Sequence, residues 1–207
     1  MFIGNFMCPT RDYNSTLPLS QLQPKKVQIA RTLLTTLLNL DTTVQTFAQI
    51  IDGLPTHQNA LHIDPNFSHP NVTPDRTSPS PESVEKFKAF RDELQWNRLM
   101  LDAKILQKYN DASPSSESEL FSISLIEILG FVIHNLAVNI FMEHHNLADA
   151  GDTPEAVGRI TLYHPGYMRW REYPRGANEL VGYWAETVIL GGVVSLDRGL
   201  SHNEVSG

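Results

Sequence analysis

A long apolar run from Leu120 to Met142 constrains this chain more than any other feature of its sequence. The run is long enough to cross a bilayer, for which about 20 apolar residues suffice. It nevertheless carries Glu127 and His134, and a charge at mid-span is costly in lipid. We therefore expect a buried helix that ends near Asn146, in a soluble cytoplasmic protein with no membrane partner.

The composition of the chain limits the classes of protein to which it can belong. Its 207 residues suit a single domain over 1–207, and 41% of them are hydrophobic, which allows a sizeable core. The 16 basic and 23 acidic residues give a net charge of −7, so we expect no nucleic-acid partner. A single cysteine, Cys8, excludes a disulfide framework and a cysteine-rich zinc module.

Hydrophobic periodicity predicts helices through the first half of the chain. Pro24 fits the first turn of a helix whose apolar positions recur at a period near 3.6 as far as Leu38. A second short helix is expected over 41–51, and Gly53 stops it. A third is expected to run without interruption over 83–110, with apolar residues on two of its faces.

Two stretches of the chain are expected to be irregular. Residues 1–23 form an N-terminal arm, and residues 53–82 form a loop that contains six prolines. Proline cannot continue a helix or sit in a central strand. Within the loop we expect ordered packing for 54–67 and disorder for 68–82.

The last quarter of the chain is rich in β-branched residues. The segments 159–165 and 187–197 are typical of short strands. Within the second segment, Gly191-Gly192 fits either a tight hairpin turn or a bulge in a single strand. The predicted fold class is therefore mainly α with a small antiparallel β element near the C-terminus, an α+β arrangement.

The segment 182–199, GYWAETVILGGVVSLDRG, resembles a stretch that recurs in uncharacterised proteins of filamentous fungi. The resemblance covers about a tenth of the chain. It implies a fungal source and no particular activity. It also implies that this chain is a short form, because many such proteins continue beyond this point.

Three ionisable side chains lie along one line of the apolar helix. Glu127, His134 and His145 are spaced by 7 and 11 residues, which places them within about 20° of each other around the axis. Burial brings the pKa values of a carboxyl and an imidazole towards neutrality, as general acid–base catalysis requires. Glu127 and His134 are thus candidate catalytic residues. Because they lie about 10 Å apart along the axis, each needs partners from another element, and a purely structural, hydrogen-bonded role is the alternative.

The segment from Tyr163 to Trp184 combines aromatic residues with arginines. Such a combination can hold an anion or stack on a planar ligand. In the alternative interpretation the arginines pack on the rings and pair with carboxylates such as Glu172, Glu179 or Glu186. The candidate substrate-binding residues are Arg169, Arg171, Trp170, Tyr167, Tyr183 and Trp184.

No metal and no cofactor is expected. The cluster 143–145, Glu-His-His, lacks the i, i+4 spacing with which two histidines on a helix share zinc. A second group lies in the proline-rich loop, where the sequence does not fix its geometry: His57, His62, Asp64 and His69. The chain also lacks the glycine-rich nucleotide motifs and the G-x-S-x-G nucleophile motif.

Two functions agree with these patterns. One is a protein that binds an apolar metabolite, as a cofactor-independent acid–base enzyme of the isomerase, cyclase or dehydratase type. The other is a protein-interaction module with no catalytic activity. Whether Glu127 and His134 line a cavity or are enclosed by packing distinguishes them, and the sequence leaves the oligomeric state open.

Overall fold

The computed structural model describes residues 16–96, 99–113, 118–145 and 157–194. The prediction of a mainly helical chain is confirmed. The elements in order are β1 Thr16–Pro18, α1 Pro24–Leu38, α2 Asp41–Asp52, α3 His57–Ile63, α4 Pro81–Asp92, β2 Met100–Asp102, α5 Ala103–Asp111, α6 Glu119–His144 and α7 Glu179–Leu190. Short 3-10 turns occupy Leu19–Gln21, Pro165–Tyr167, Trp170–Glu172 and Gly176–Asn178.

Helix α6 is the centre of the fold, as its apolar sequence predicts. The Ser118 hydroxyl caps its start by accepting a hydrogen bond from the Phe121 N–H. Helices α2, α5 and α7 pack around α6, and α7 makes the most extensive contact. Among the described residues, α6 is the helix that is long and apolar enough to cross a membrane, and 61% of its most apolar window is buried inside the protein.

Helices α1 and α2 agree with the boundaries expected from their end signals. Pro24 occupies the first turn of α1, and Gly53 ends α2 with a φ of 73°, which glycine adopts without strain. The continuous helix expected over 83–110 is wrong. It is two helices, α4 and α5, separated by β2, and the Asp102 carboxylate caps α5 through the N–H groups of Lys104 and Ile105.

The small antiparallel sheet exists, but our prediction placed it in the wrong part of the chain. Strands β1 and β2 pair antiparallel, with Thr16 opposite Asp102 and Pro18 opposite Met100. Residues 187–190 of the segment expected as a C-terminal strand instead form the end of α7, because packing Val188 and Ile189, half-buried, against the core outweighs their β-branched composition. Gly191, with a φ of 78°, ends that helix, and the described residues 191–194 that follow contain no strand.

The predicted strand at 159–165 is also wrong, since this segment is a loop that leads into a 3-10 turn. The Thr161 hydroxyl fastens it to the end of α2 by donating to the Gly53 carbonyl over 2.8 Å. Residues 195–197 of the second predicted strand, residues 1–15 of the arm and Asn146 lie outside the described residues.

The proline-rich loop is not irregular throughout, as we expected, because His57–Ile63 form α3 between its prolines. Its second half is anchored, although we expected disorder over 68–82. Asp52, at the end of α2, accepts hydrogen bonds from the Arg76 guanidinium and from the Ser80 and Ser83 hydroxyls over 2.6–2.9 Å. Burial alone would raise the pKa of Asp52, but the hydrogen bonds from Ser83, Ser80 and Arg76 hold it below its ordinary value. The ionised carboxylate of Asp52 therefore holds the end of the loop against α2 through these hydrogen bonds.

Candidate functional site

His134 lies in a buried ionic cluster between α6 and α7. Its Nδ1 contacts Glu186 Oε1 at 2.7 Å, and its Nε2 contacts Glu179 Oε2. A carboxylate accepts hydrogen bonds and donates none. Both ring nitrogens therefore donate, and this geometry fits the imidazolium form of His134.

Arg175 completes the His134 cluster, which we define as His134, Glu179, Glu186 and Arg175. The Arg175 guanidinium donates to Glu179 Oε1 at 2.8 Å and, farther along, to the side-chain oxygens of Asn135 and Asn139 on α6. The second oxygen of Glu186 accepts the Val194 N–H at 2.8 Å. With His134 protonated, the cluster holds two positive and two negative charges.

Glycine at position 182 makes room for the imidazole. Glu179, Gly182 and Glu186 lie three and four residues apart and so share one face of α7. A Cβ atom at Gly182 would lie 2.5 Å from His134 Cε1. In the E-x-x-G-x-x-x-E pattern, the two glutamates thus hold the His134 ring from either side, and the glycine between them leaves space for it.

Burial and charge act in opposite directions on this cluster. Burial alone would lower the pKa of His134, but its hydrogen bonds and charge interactions with Glu179 and Glu186 raise it. Burial would also raise the pKa of Glu179, whereas His134 and Arg175 lower it to about 2. The imidazolium has no free lone pair with which to take a proton from a substrate.

Aromatic rings cover the outer side of the cluster. The Tyr183 ring meets His134 edge-on, with centroids 4.7 Å apart, and Tyr167 stacks on Tyr183 at 4.6 Å. Tyr173 packs on the same ring at 5.1 Å, and its hydroxyl donates to the Tyr167 carbonyl. Of the predicted substrate-binding residues, Tyr183 therefore contacts His134, and Tyr167 packs behind it.

The other predicted substrate-binding residues are distributed differently. Trp170 and Trp184 are buried in the core. Arg169 is 80% exposed and lies 4.0 Å from Glu172, and Arg171 lies over the Trp170 ring at 4.8 Å. Both arginines follow the interpretation in which they pack on rings and pair with nearby carboxylates.

The structure gives Glu127 and His134 separate partners. Lys108 on α5 donates to Glu127 Oε1 at 2.6 Å, and the other carboxylate oxygen is buried without a hydrogen-bond partner among the described residues. His145 donates through Nε2 to the Ile50 carbonyl at 2.9 Å and packs against Gly53. The stripe of three ionisable residues thus joins α6 to three different elements.

Sequence reasoning named Glu179 and Glu186 as partners for arginines and missed them as partners of His134. Arg175 entered only as a member of the aromatic and arginine segment. The pairs lie 45 and 52 residues apart, and α7 was predicted as a strand from Thr187 onward. A helical projection of 179–186 would have placed both carboxylates on one face around Gly182.

A shallow groove lies beside the cluster, between α6 and β2. It offers a cavity volume of about 10 Å³, about the room that one water molecule needs, whereas ligand pockets commonly hold about 300–1,000 Å³. Within the described part of the chain, no group of three or more His, Cys, Asp or Glu side chains is placed to hold a metal ion. The groove is lined by Leu99, Met100, Phe131, Val132, Asn135, Leu136 and Asn139.

A second surface lies on the first half of α6, where aliphatic side chains recur at every third residue. Leu120, Ile123 and Ile126 are 64%, 39% and 53% exposed, and Leu129 is half-buried. We call these four residues the apolar ridge. Large apolar side chains exposed together on a helix are typical of interaction sites.

No family model, no curated protein and no solved structure matches this chain.

Proposed function

We propose that this chain is a helical protein-interaction module whose apolar ridge binds an amphipathic helix of a protein partner. The observation that carries the proposal is the exposure of Leu120, Ile123 and Ile126 on successive turns of the core helix. Fully burying a side chain of this size stabilises by roughly 1.5–3 kcal/mol, and because these residues are 39–64% exposed, a bound partner recovers a corresponding part of that free energy.

The spacing of the ridge favours a helix as its occupant. Side chains three residues apart form an inclined row along a helix, and such a row fits the groove between side chains four residues apart on a second helix. From Leu120 to Leu129 the ridge turns about 180° around the helix axis, so one partner helix contacts its three exposed residues, Leu120 to Ile126, which span about 9 Å. That length matches the few anchor side chains with which an amphipathic helix binds an apolar surface.

A second copy of this chain is a weaker candidate for the occupant. Stable interfaces between globular proteins use about 20–30 residues from each side. The ridge offers four, and the polar residues Glu119 and Ser122 lie on the same side of α6. A short helix needs less area, because it docks through its anchor residues alone.

The contacts of His134 and Glu127 support binding over acid–base catalysis. Both nitrogens of His134 are held by carboxylates, and Glu127 is paired with Lys108. The groove beside the His134 cluster, which neither residue lines, is smaller than common metabolite pockets. These contacts fasten helices together, which is what a rigid module for a partner helix requires.

The proposal can be tested with a fluorescent amphipathic peptide of about 18 residues, five helical turns, with leucines at i, i+3, i+4 and i+7. We expect the wild-type chain to bind it with a Kd of roughly 10 µM. The double variant Ile123→Ser with Ile126→Ser should bind it at least about tenfold more weakly, since it loses two central anchors. Fluorescence anisotropy measures both.

Met142→Ser is the matched control, because Met142 is 43% exposed on the same helix but lies outside the ridge. It should leave peptide affinity unchanged, and circular dichroism should show that all variants stay folded. Failure of the wild-type chain to bind any amphipathic peptide would overturn the proposal, as would binding that the double variant retains. Sedimentation showing a wild-type dimer that the double variant abolishes would identify a second copy as the occupant instead.

A further inference from the structure

The His134 cluster contains more hydrogen-bond acceptors than a neutral imidazole can satisfy. A neutral ring has one N–H and one lone pair, whereas carboxylate oxygens of Glu179 and Glu186 face both nitrogens. Loss of the proton therefore sets one carboxylate oxygen against a lone pair inside the protein. It also leaves the cluster with one uncompensated negative charge, which is costly in a buried site.

No other described group takes over the role of that proton. Arg175 already donates to Glu179 and the two asparagines of α6, and the rings of Tyr183, Tyr167 and Tyr173 cover the outer side. Arg175, Glu179, Glu186 and the three tyrosines are the charged and titratable groups around His134 among the described residues of α6, α7 and the segment 163–178. The balance of charge therefore depends on one titrating ring.

The cluster also contacts the chain beyond α7. Glu186 uses one oxygen for His134 and the other for the Val194 N–H. The Val194 side chain packs on Gly130 of α6, where a Cβ atom would lie 2.6 Å from Val194 Cγ2. A shift of Glu186 away from a neutral imidazole therefore moves the 191–194 segment as well.

We infer that the His134 cluster is a proton-operated latch, which holds α7 and residues 191–194 on α6 when His134 is protonated and releases them when it is neutral. The latch rests on the cluster alone and does not depend on the proposed partner helix. It gives the protein a conformational response to pH at the largest helix–helix contact of the fold.

The direction of the response follows from the raised pKa of His134. Its stabilising contribution is complete below the ordinary histidine pKa of about 6.5 and is lost as pH rises through the raised value. Glu179, with a pKa of about 2, stays ionised well into acid. The latch is therefore closed at mildly acidic pH and opens at alkaline pH.

Glu186→Gln tests the latch without removing its contacts. The amide N–H₂ of glutamine donates to the lone pair of a neutral His134, and the amide oxygen still accepts the Val194 N–H. The variant should hold α7 closed at alkaline pH, where His134 is neutral. Glu143→Gln, an exposed carboxylate on α6, is the matched control and should behave like wild type.

Hydrogen-exchange protection factors measure the opening of the latch directly. They are ratios to the intrinsic exchange rate, so the intrinsic pH dependence of exchange cancels. Between about pH 6 and about pH 9, wild type and Glu143→Gln should lose roughly tenfold or more protection over 179–190, while α4 loses none. Glu186→Gln should show no such loss. Equal wild-type protection at both pH values would overturn the inference, as would an undiminished loss in Glu186→Gln.

The imidazole resonance of His134 in wild type provides a second measurement that needs no variant. Its NMR titration midpoint should lie above about pH 6.5 and coincide with the midpoint of the loss of protection. Two separate midpoints would show that α7 opens for another reason, and the inference would then be wrong.

Discussion

At the scale of single residues, Gly182 decides whether α6 and α7 can approach. The hydrogen that it carries in place of a side chain faces the His134 ring, which a Cβ atom would meet at 2.5 Å. The ring cannot retreat, because carboxylates hold it on both sides. This close approach differs from the role of Gly53, which adopts a positive φ to end a helix.

Gly182→Ala should therefore destabilise the protein by about 1–3 kcal/mol, the usual cost of overpacking a well-filled core. Urea unfolding monitored by far-UV circular dichroism gives the free energy of unfolding. Gly192→Ala is the control, since a Cβ atom there meets nothing within 4 Å, and it should change that free energy by less than about 0.5 kcal/mol. Equal effects of the two substitutions would contradict the packing argument.

At the scale of elements, a buried lysine joins the end of α5 to α1. Lys26 on α1 is 3% exposed, and its ammonium donates to the carbonyls of Tyr109, Asn110 and Ala112 at the end of α5. The last carbonyls of a helix have no partners within it, and a cation at this end also interacts favourably with the helix dipole. The Tyr109 hydroxyl returns a hydrogen bond to the Lys26 carbonyl at 3.0 Å.

Lys26→Met keeps the aliphatic length of the side chain but leaves those carbonyls without their donor. We expect a loss of about 1–3 kcal/mol in the free energy of unfolding, measured in urea. Lys25→Met, at the exposed neighbouring position, should stay within about 0.5 kcal/mol of wild type. If Lys26→Met were as stable as Lys25→Met, the cap would contribute nothing.

How far the sequence predicts these elements depends on whether the deciding contacts are local. Helices α1 and α2 follow from periodicity and from Pro24 and Gly53, which act within a few residues. Helix α7 does not, because Val188 and Ile189 favour strands locally and become helical only through packing on the core. Sequence reasoning identified His134 as unusual, but its carboxylate partners require the long-range pairing of α6 with α7.

At the scale of the whole molecule, α6 is surrounded by helices that buried charges hold in place. Two of these charges set the response of the fold to acid. Asp52 and Glu179 both have pKa values below their ordinary range, because hydrogen bonds from cationic and hydroxyl groups outweigh the effect of burial. Carboxylates of this kind stabilise a fold above their unfolded pKa and stop doing so as pH falls through the folded value.

Asp52→Asn should therefore destabilise the protein at neutral pH by about 1–3 kcal/mol, since it removes one acceptor of the network and its charge. The difference from wild type should shrink as pH falls from about 4. Urea unfolding at a series of pH values measures it. A constant difference across that range would show that the ionised form of Asp52 is no better than the neutral amide.

The pairing of β1 with β2 has a consequence for the order in which the chain folds. The ladder joins Thr16 to Asp102, so its formation closes a loop that contains α1 to α4. Closing a flexible loop of that length costs about 4 kcal/mol in chain entropy, and six ladder residues recover little of it. Collapse of α1, α2 and α4 must first shorten the effective loop. We therefore expect the β1–β2 ladder to form late in folding, after the helical core has formed.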